Sequence, residues 1–130
     1  MLLFDTTFLV DAERARVNLD EIIDDEDDVA IAAITVAELR VGVELAKGRS
    51  KAARRAFVED LLAALPVLHY DLGVAEAHAQ LLVAVRRAGR PRGAHDLIIA
   101  ATALASRRTV VTADPSGFAG LPGVEMRPHR

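Results

Sequence analysis

VAIAAITVAELRVGVELAKG, Val29–Gly48, starts as six consecutive apolar residues, Val29 to Ile34, and then changes rhythm: from Thr35 onward the apolar positions recur every three or four residues. A continuous apolar run suits a strand covered on both faces, as in a parallel sheet. The three-to-four spacing that follows suits a helix with one buried face. The stretch therefore reads as a strand feeding directly into a helix.

The same alternation extends along the chain. LLF before Asp5, PVLHY at Pro66–Tyr70 and TVVT at Thr109–Thr112 are further short apolar runs, and VEM at Val124–Met126 is a candidate edge strand. Helical periodicity marks Thr35–Gly48, Ser50–Leu65, Gly73–Gly89 and His95–Ser106. Strands alternating with helices make βαβ units, so the expected fold is α/β, with helices on both faces of a mainly parallel sheet. At 130 residues and 52% hydrophobic content the chain is expected to form one domain spanning residues 1–130.

Composition narrows the function. Aromatic residues are 4% of the chain and Trp is absent, so no platform for stacking bases is evident. A net charge of −3 argues against a protein that simply coats nucleic acid, although an enzyme with clustered carboxylates escapes that objection. With no cysteine there are neither disulfides nor thiolate zinc sites, which fits a cytoplasmic protein. No basic leader precedes the first apolar run, and no stretch approaches the roughly 20 apolar residues of a membrane span.

Four isolated acids stand where strands end and helices begin. Asp5 closes the first strand, Glu38 falls in the first turn after the second, Asp96 begins the helix DLIIAATAL, and Asp114 follows TVVT by one residue. In a parallel sheet these places share one rim, where open α/β folds bind ligands. Each acid also has a structural excuse. Asp5 can cap a helix, Thr35 and Glu38 spell a T-x-x-E capping box, Asp96 can complement a helix dipole, and Asp114 with Pro115 and Gly117 suits a turn. Gathering all four needs a further reason, because two carboxylates about 4 Å apart repel by about 4 kcal/mol at an effective dielectric near 20. A cation is the simplest compensation. Carboxylates without Cys or a His pair at ligand spacing favour Mg²⁺ or Mn²⁺, ions that commonly act on phosphates. The contiguous acids DDEDD, Asp24–Asp28, point in different directions and read as a solvated loop.

FDTTFLVD, ITVAEL, HDLIIAATA and VVTADPSGF together resemble the four signature blocks of PIN-domain ribonucleases, most closely the VapC toxins of type II toxin-antitoxin systems. The resemblance implies a three-layer α/β/α PIN domain and a Mg²⁺- or Mn²⁺-dependent endoribonuclease that inhibits translation. It carries the metal-site acids onto Asp5, Glu38, Asp96 and Asp114, with Asp5 and Asp96 as the direct ligands. It gives Thr6 a role in orienting Asp5 or a water, and Thr112 a role in supporting the last loop. It also implies a homodimer, a cognate VapB-like antitoxin whose tail sets a basic side chain against the acids, and an RNA substrate: tRNA, rRNA or mRNA. One departure stands out. Many members carry T-x-N-x-x-D-F in the last block, whereas here Asp114 takes the Asn position and Gly117 stands where a second acid often occurs.

His95, beside Asp96, is a candidate proton carrier or phosphate contact, and Arg90 and Arg92 in RRAGRPRG are candidate RNA contacts. Arg86 and Arg87 lie where a helix C-terminus would welcome them, and Lys47–Arg55 reads as a solvated turn and helix start. His69, His78 and His129 share no ligand spacing. A haloacid-dehalogenase-type phosphatase would need D-x-D-x-T, but residue 7 is Thr. A phospho-receiver would need an early acidic pair and a later Lys that are missing at the matching places. A catalytically inactive PIN-like domain that only binds RNA or a protein partner remains as the alternative.

Overall fold

The computed structural model describes residues 1–24 and 26–128. Asp25 of the acidic run and His129 lie outside the described residues. Five strands, β1 (Leu2–Phe4), β2 (Val29–Ala32), β3 (Val67–Leu68), β4 (Thr109–Thr112) and β5 (Met126–Pro128), form one sheet in the order β3-β2-β1-β4-β5. Every neighbouring pair is parallel. Leu3 stands opposite both Ala30 and Val110, which makes β1 the central strand.

Because side chains alternate across a strand, each central strand serves two cores. Leu3, Ala30, Ala32 and Val110 face one cluster with Val74 and Leu81 of α5 (Leu72–Ala88) and Leu97, Ile99 and Ala100 of α6 (Ala94–Ser106). Leu2, Phe4, Val29, Ile31 and Val111 face the other, built from α1 (Thr6–Arg14), α3 (Ala33–Leu45) and α4 (Gly48–Ala64). The result is the expected three-layer α/β/α sandwich. Burial on both faces is also why these strands carry no polar alternation.

Several boundaries differ from the sequence reading. The apolar run from Val29 ends as a strand at Ala32, and Ala33 and Ile34 already belong to α3. Ala32 caps that helix without a side-chain bond, so no polar residue marks the change. The capping box of Thr35 and Glu38 is therefore not formed, and Glu38 lies in the second turn. β3 is only two residues long, and the last strand sits at Met126–Pro128, two residues later than the VEM segment. Two helices went unread: α1, directly after Asp5, and the short α2 (Leu19–Ile22). α1 does obey helix rules, with Asp5 accepting from the Phe8 N–H and Phe8, Leu9 and Ala12 facing the core.

Candidate active site

The parallel register brings the carboxyl ends of β1 and β4 side by side. Phe4 pairs with Val111, the Asp5 N–H donates to the Val111 carbonyl at 3.0 Å, and the next residues, Asp5 and Thr112, become neighbours across the sheet edge. Asp5 is 1% exposed and Thr112 fully buried. The Thr112 hydroxyl donates to Asp5 Oδ2 at 2.5 Å and accepts the Asp114 N–H at 2.9 Å. The Thr7 hydroxyl sits 2.9 Å from both Asp5 oxygens as donor and accepts the Ala113 N–H at 3.1 Å. With the Phe8 N–H at 2.9 Å, three donors hold one buried carboxylate. Burial still pushes Asp5 above the usual carboxylate range; the bonds from Thr112, Phe8 and Thr7 pull it down, and the charge of Asp114 adds to the rise.

Thr6 does not orient Asp5. Its position on α1 points it instead at α3, where its hydroxyl donates to Glu38 Oε1 at 2.7 Å and lies 3.2 Å from the Thr35 hydroxyl. The residue that performs the Asp5 role is Thr7, which the sequence reading passed over. The signal was present in the doubled hydroxyl of D-T-T, since a side chain two residues beyond a helix cap can fold back onto it. Thr112 accepts the Asp114 N–H of the last loop and donates to Asp5.

Asp96 occupies the third position of α6, half-buried, with its carboxylate between Gly93 and Gly117. Burial, followed by the charges of Asp5, Glu38 and Asp114, pushes it above the ordinary range, and His95 opposes the rise. Asp96 thus senses the other three acids, which reach it from β1, α3 and the loop after β4. Asp114 is exposed and accepts the Ser116 hydroxyl at 2.6 Å. His95 Nδ1 lies 3.3 Å from Glu38 Oε2, on the rim of the site. Among the described residues no arginine or lysine pairs with any of the four acids.

The basic loop is less free than its composition suggests. Arg90 is exposed, but Arg92 donates to the Ser116 carbonyl at 3.2 Å and to the Ala119 carbonyl. Away from the site, His78 meets the Tyr70 hydroxyl at 2.9 Å, and His69 is exposed. Asp28 of the acidic run pairs with Arg108 at 3.0 Å, while Asp24, Glu26 and Asp27 are exposed.

Residues 2–123 match the family model of the PIN domain. The chain belongs to the PIN-domain family. Its relatives include Ribonuclease VapC4 of Mycobacterium tuberculosis, 35% identical over 124 residues that cover 95% of this chain and 93% of the relative. Toxin FitB of Neisseria gonorrhoeae is 35% identical over 128 residues, covering 91% of each. The solved structure of VapBC-5, a member of the VapBC family of toxin-antitoxin systems from Mycobacterium tuberculosis, matches with a TM-score of 0.77 at 31% identity, covering 99% of this chain and 97% of that one. The four acids of this PIN domain therefore sit within the matched region and within a matched fold.

The donor set of this PIN domain suits a hard cation. All four side chains offer oxygen, their charges oppose one another, and Asp5 keeps acceptor capacity, since a carboxylate has about four lone-pair sites and three donors reach it. Among the described residues, no three acids or histidines lie close enough together to hold one ion as they stand. Mg²⁺ commonly takes one or two carboxylates and completes its octahedron with water and substrate phosphate, so the arrangement fits that ion without such a triplet.

Proposed function

We propose that this PIN-domain protein is a metal-dependent endoribonuclease acting as the toxin of a toxin-antitoxin pair, with Asp5, Glu38, Asp96 and Asp114 forming its acidic site. The observation that carries the reading is that acids from four separate segments stand near one sheet edge, where the charges of Asp5, Glu38 and Asp114 bear on half-buried Asp96 and, among the described residues, no arginine or lysine pairs with any of the four. Relatives named ribonuclease and toxin support the substrate and the role.

In this reading Asp5 and Asp96 hold Mg²⁺ or Mn²⁺, with Glu38 and Asp114 completing the pocket directly or through water. Such an ion supplies a lowered pKa for a water nucleophile and neutralises the charge that builds on the phosphate during attack. The chain's own residues prepare the site. Thr7, Thr112 and the Phe8 N–H fix Asp5 in one orientation, Thr6 fixes Glu38, and Ser116 restrains Asp114. His95, beside Glu38, and exposed Arg90 suit phosphate contact.

The partners follow from the same surfaces. A pocket of about 150 Å³ between α1, α3 and α4, lined by Val10, Arg14, Leu39, Phe57 and Val58 with Glu38 at its edge, supports an antitoxin tail lying beside the acids. Val41 and Leu45, 56% and 76% exposed on α3, support a homodimer contact. Arrest of translation is the expected outcome of cutting tRNA, rRNA or mRNA.

The test is incubation of partner-free protein with total cellular RNA in Mg²⁺, in Mn²⁺ and in EDTA, alongside an Asp96→Asn control. Discrete fragments that need metal and vanish in the control are expected. Fragments that persist in the control or in EDTA would overturn the reading, and folded protein that cuts nothing would favour the binding-only alternative.

A further inference from the structure

Gly117 lies in the short 3₁₀ turn Pro115–Gly117, and its backbone is not in the left-handed region. Conformational freedom is therefore not the reason for a glycine here. Space is. A Cβ built on Gly117 would stand 2.7 Å from Asp96 Oδ2, closer than real Cβ atoms approach, and 3.2 Å from its Cγ, a tight contact. A Cβ on Gly93 would stand 3.1 Å from the same oxygen. One carboxylate thus fills the space that two missing side chains leave open.

Arg92 closes the arrangement. It precedes Gly93 in the chain, and its guanidinium donates to the carbonyls of Ser116 and Ala119, which flank Gly117. Gly120 has φ +79, and a Cβ built on it would stand 3.6 Å from Nη2 of this guanidinium. The loop before α6 and the turn after β4 are therefore clasped together with the Asp96 carboxylate between them.

We propose that Gly117 and Arg92 are positioning residues: the glycine keeps open the space that aims Asp96 into the acidic site, and the arginine holds the Asp114–Ala119 turn at that distance. Arg92 then belongs to the site's scaffold and not to its RNA-binding surface. The consequence for metal binding rests on the function proposed above; the steric claim does not.

Two readouts keep the claims separate. The first is a double-mutant cycle in EDTA, measured by thermal unfolding. On backbone grounds alone, Gly117→Ala would be neutral or stabilising, since alanine narrows the unfolded ensemble. A collision with Asp96 reverses that sign. Gly117→Ala is expected to lower Tm by about 4 °C in the native background and to lower it by nothing when Asp96 is already Ala. Equal shifts in both backgrounds would overturn the proposal. The second readout is calorimetric titration with Mn²⁺. Gly117→Ala and Arg92→Ala are each expected to raise the Kd about tenfold, and Arg92→Lys, whose point charge cannot span two carbonyls as a fork does, nearly as much. If Arg92→Ala left Mn²⁺ affinity unchanged and weakened only RNA binding, its positioning role would be refuted. If the native protein bound no Mn²⁺ while the thermal coupling held, the metal reading would fail and the Gly117 cradle would stand.

Discussion

Replacing Thr112 by Val removes one oxygen from the interior and changes little else. The two side chains are close in shape, and Thr112 is fully buried, so packing survives. Its hydroxyl contacts do not: the donation to Asp5 Oδ2 at 2.5 Å, the acceptance from the Asp114 N–H at 2.9 Å and the 3.1 Å approach to the Thr7 hydroxyl. A bond to a charged group contributes about 1.5–3 kcal/mol and an ordinary amide bond about 1 kcal/mol, so the substitution is expected to cost about 3 kcal/mol at neutral pH. For 130 residues the unfolding entropy is about 270 cal/mol/K, which converts this cost into a Tm lowered by about 11 °C. The loss should depend on pH. Asp5 already titrates above 3.8 in the folded protein because burial outweighs its donors, so its charge opposes folding increasingly as pH rises through that raised value. Without Thr112 its pKa climbs further. The difference between variant and native protein is therefore small near pH 4, grows above the native protein's Asp5 pKa and levels off above the variant's. Melting curves in EDTA from pH 4 to pH 8, with Thr112→Ser as the hydroxyl-retaining control, measure it directly. A Tm drop below about 3 °C at pH 7, or an equal drop at pH 4 and pH 7, would refute the account of Asp5 as a charged group held by its donors.

Asp96→Asn should separate charge from metal. Burial and three neighbouring acids raise the Asp96 pKa, so the ionised group disfavours folding above that value; in EDTA at pH 7 the variant should melt about 3 °C higher than the native protein, and the gap should close toward pH 4. Added Mn²⁺ should reverse the order by stabilising the native protein alone. Thr6→Val frees Glu38 from its 2.7 Å donor and should slow RNA cleavage about tenfold with little change in RNA affinity by fluorescence anisotropy; unchanged cleavage would show that Glu38 needs no such restraint.

The sheet was legible because its strands are buried on both faces and so carry unbroken apolar runs, and Asp5 and Asp114 stand just beyond the ends of β1 and β4, whereas Glu38 and Asp96 sit inside α3 and α6. What stayed hidden had physical causes. The strand-to-helix change at Ala32 and Ala33 lies inside one apolar run and has no capping side chain, so it left no mark. α1 is short, nine residues, and opens on two threonines that favour strands as readily as helices; only the spacing of Phe8, Leu9 and Ala12 behind an Asp cap betrays it. The partner exchange between Thr6 and Thr7 depends on α1 being a helix, because only then do adjacent hydroxyls point to different elements. Arg92 is harder still. It lies in the arginine-rich stretch Arg86–Gly93, and nothing in a list of charges shows that this guanidinium is spent on two backbone carbonyls.

The four acids differ in how firmly they are held, and that gradient has consequences for the chemistry. Asp5 cannot move: it is buried, carries three donors, and ends the central strand between two apolar cores. Asp96 is confined by two glycines and a clasped turn. Glu38 accepts from Thr6 and has a histidine neighbour, and exposed Asp114 accepts from Ser116. Preorganised ligands lose little freedom when they bind an ion, whereas mobile ones can follow a charge as it shifts from nucleophile to leaving group. In the metal site proposed above, Asp5 and Asp96 are thus suited to set affinity, and Glu38 and Asp114 to adjust during reaction. Substitutions at the first pair should therefore fall mainly on Mn²⁺ affinity, and at the second pair mainly on the cleavage rate at saturating metal; titrating the metal in single-turnover assays of all four Asn or Gln variants distinguishes this division from one in which the acids act alike.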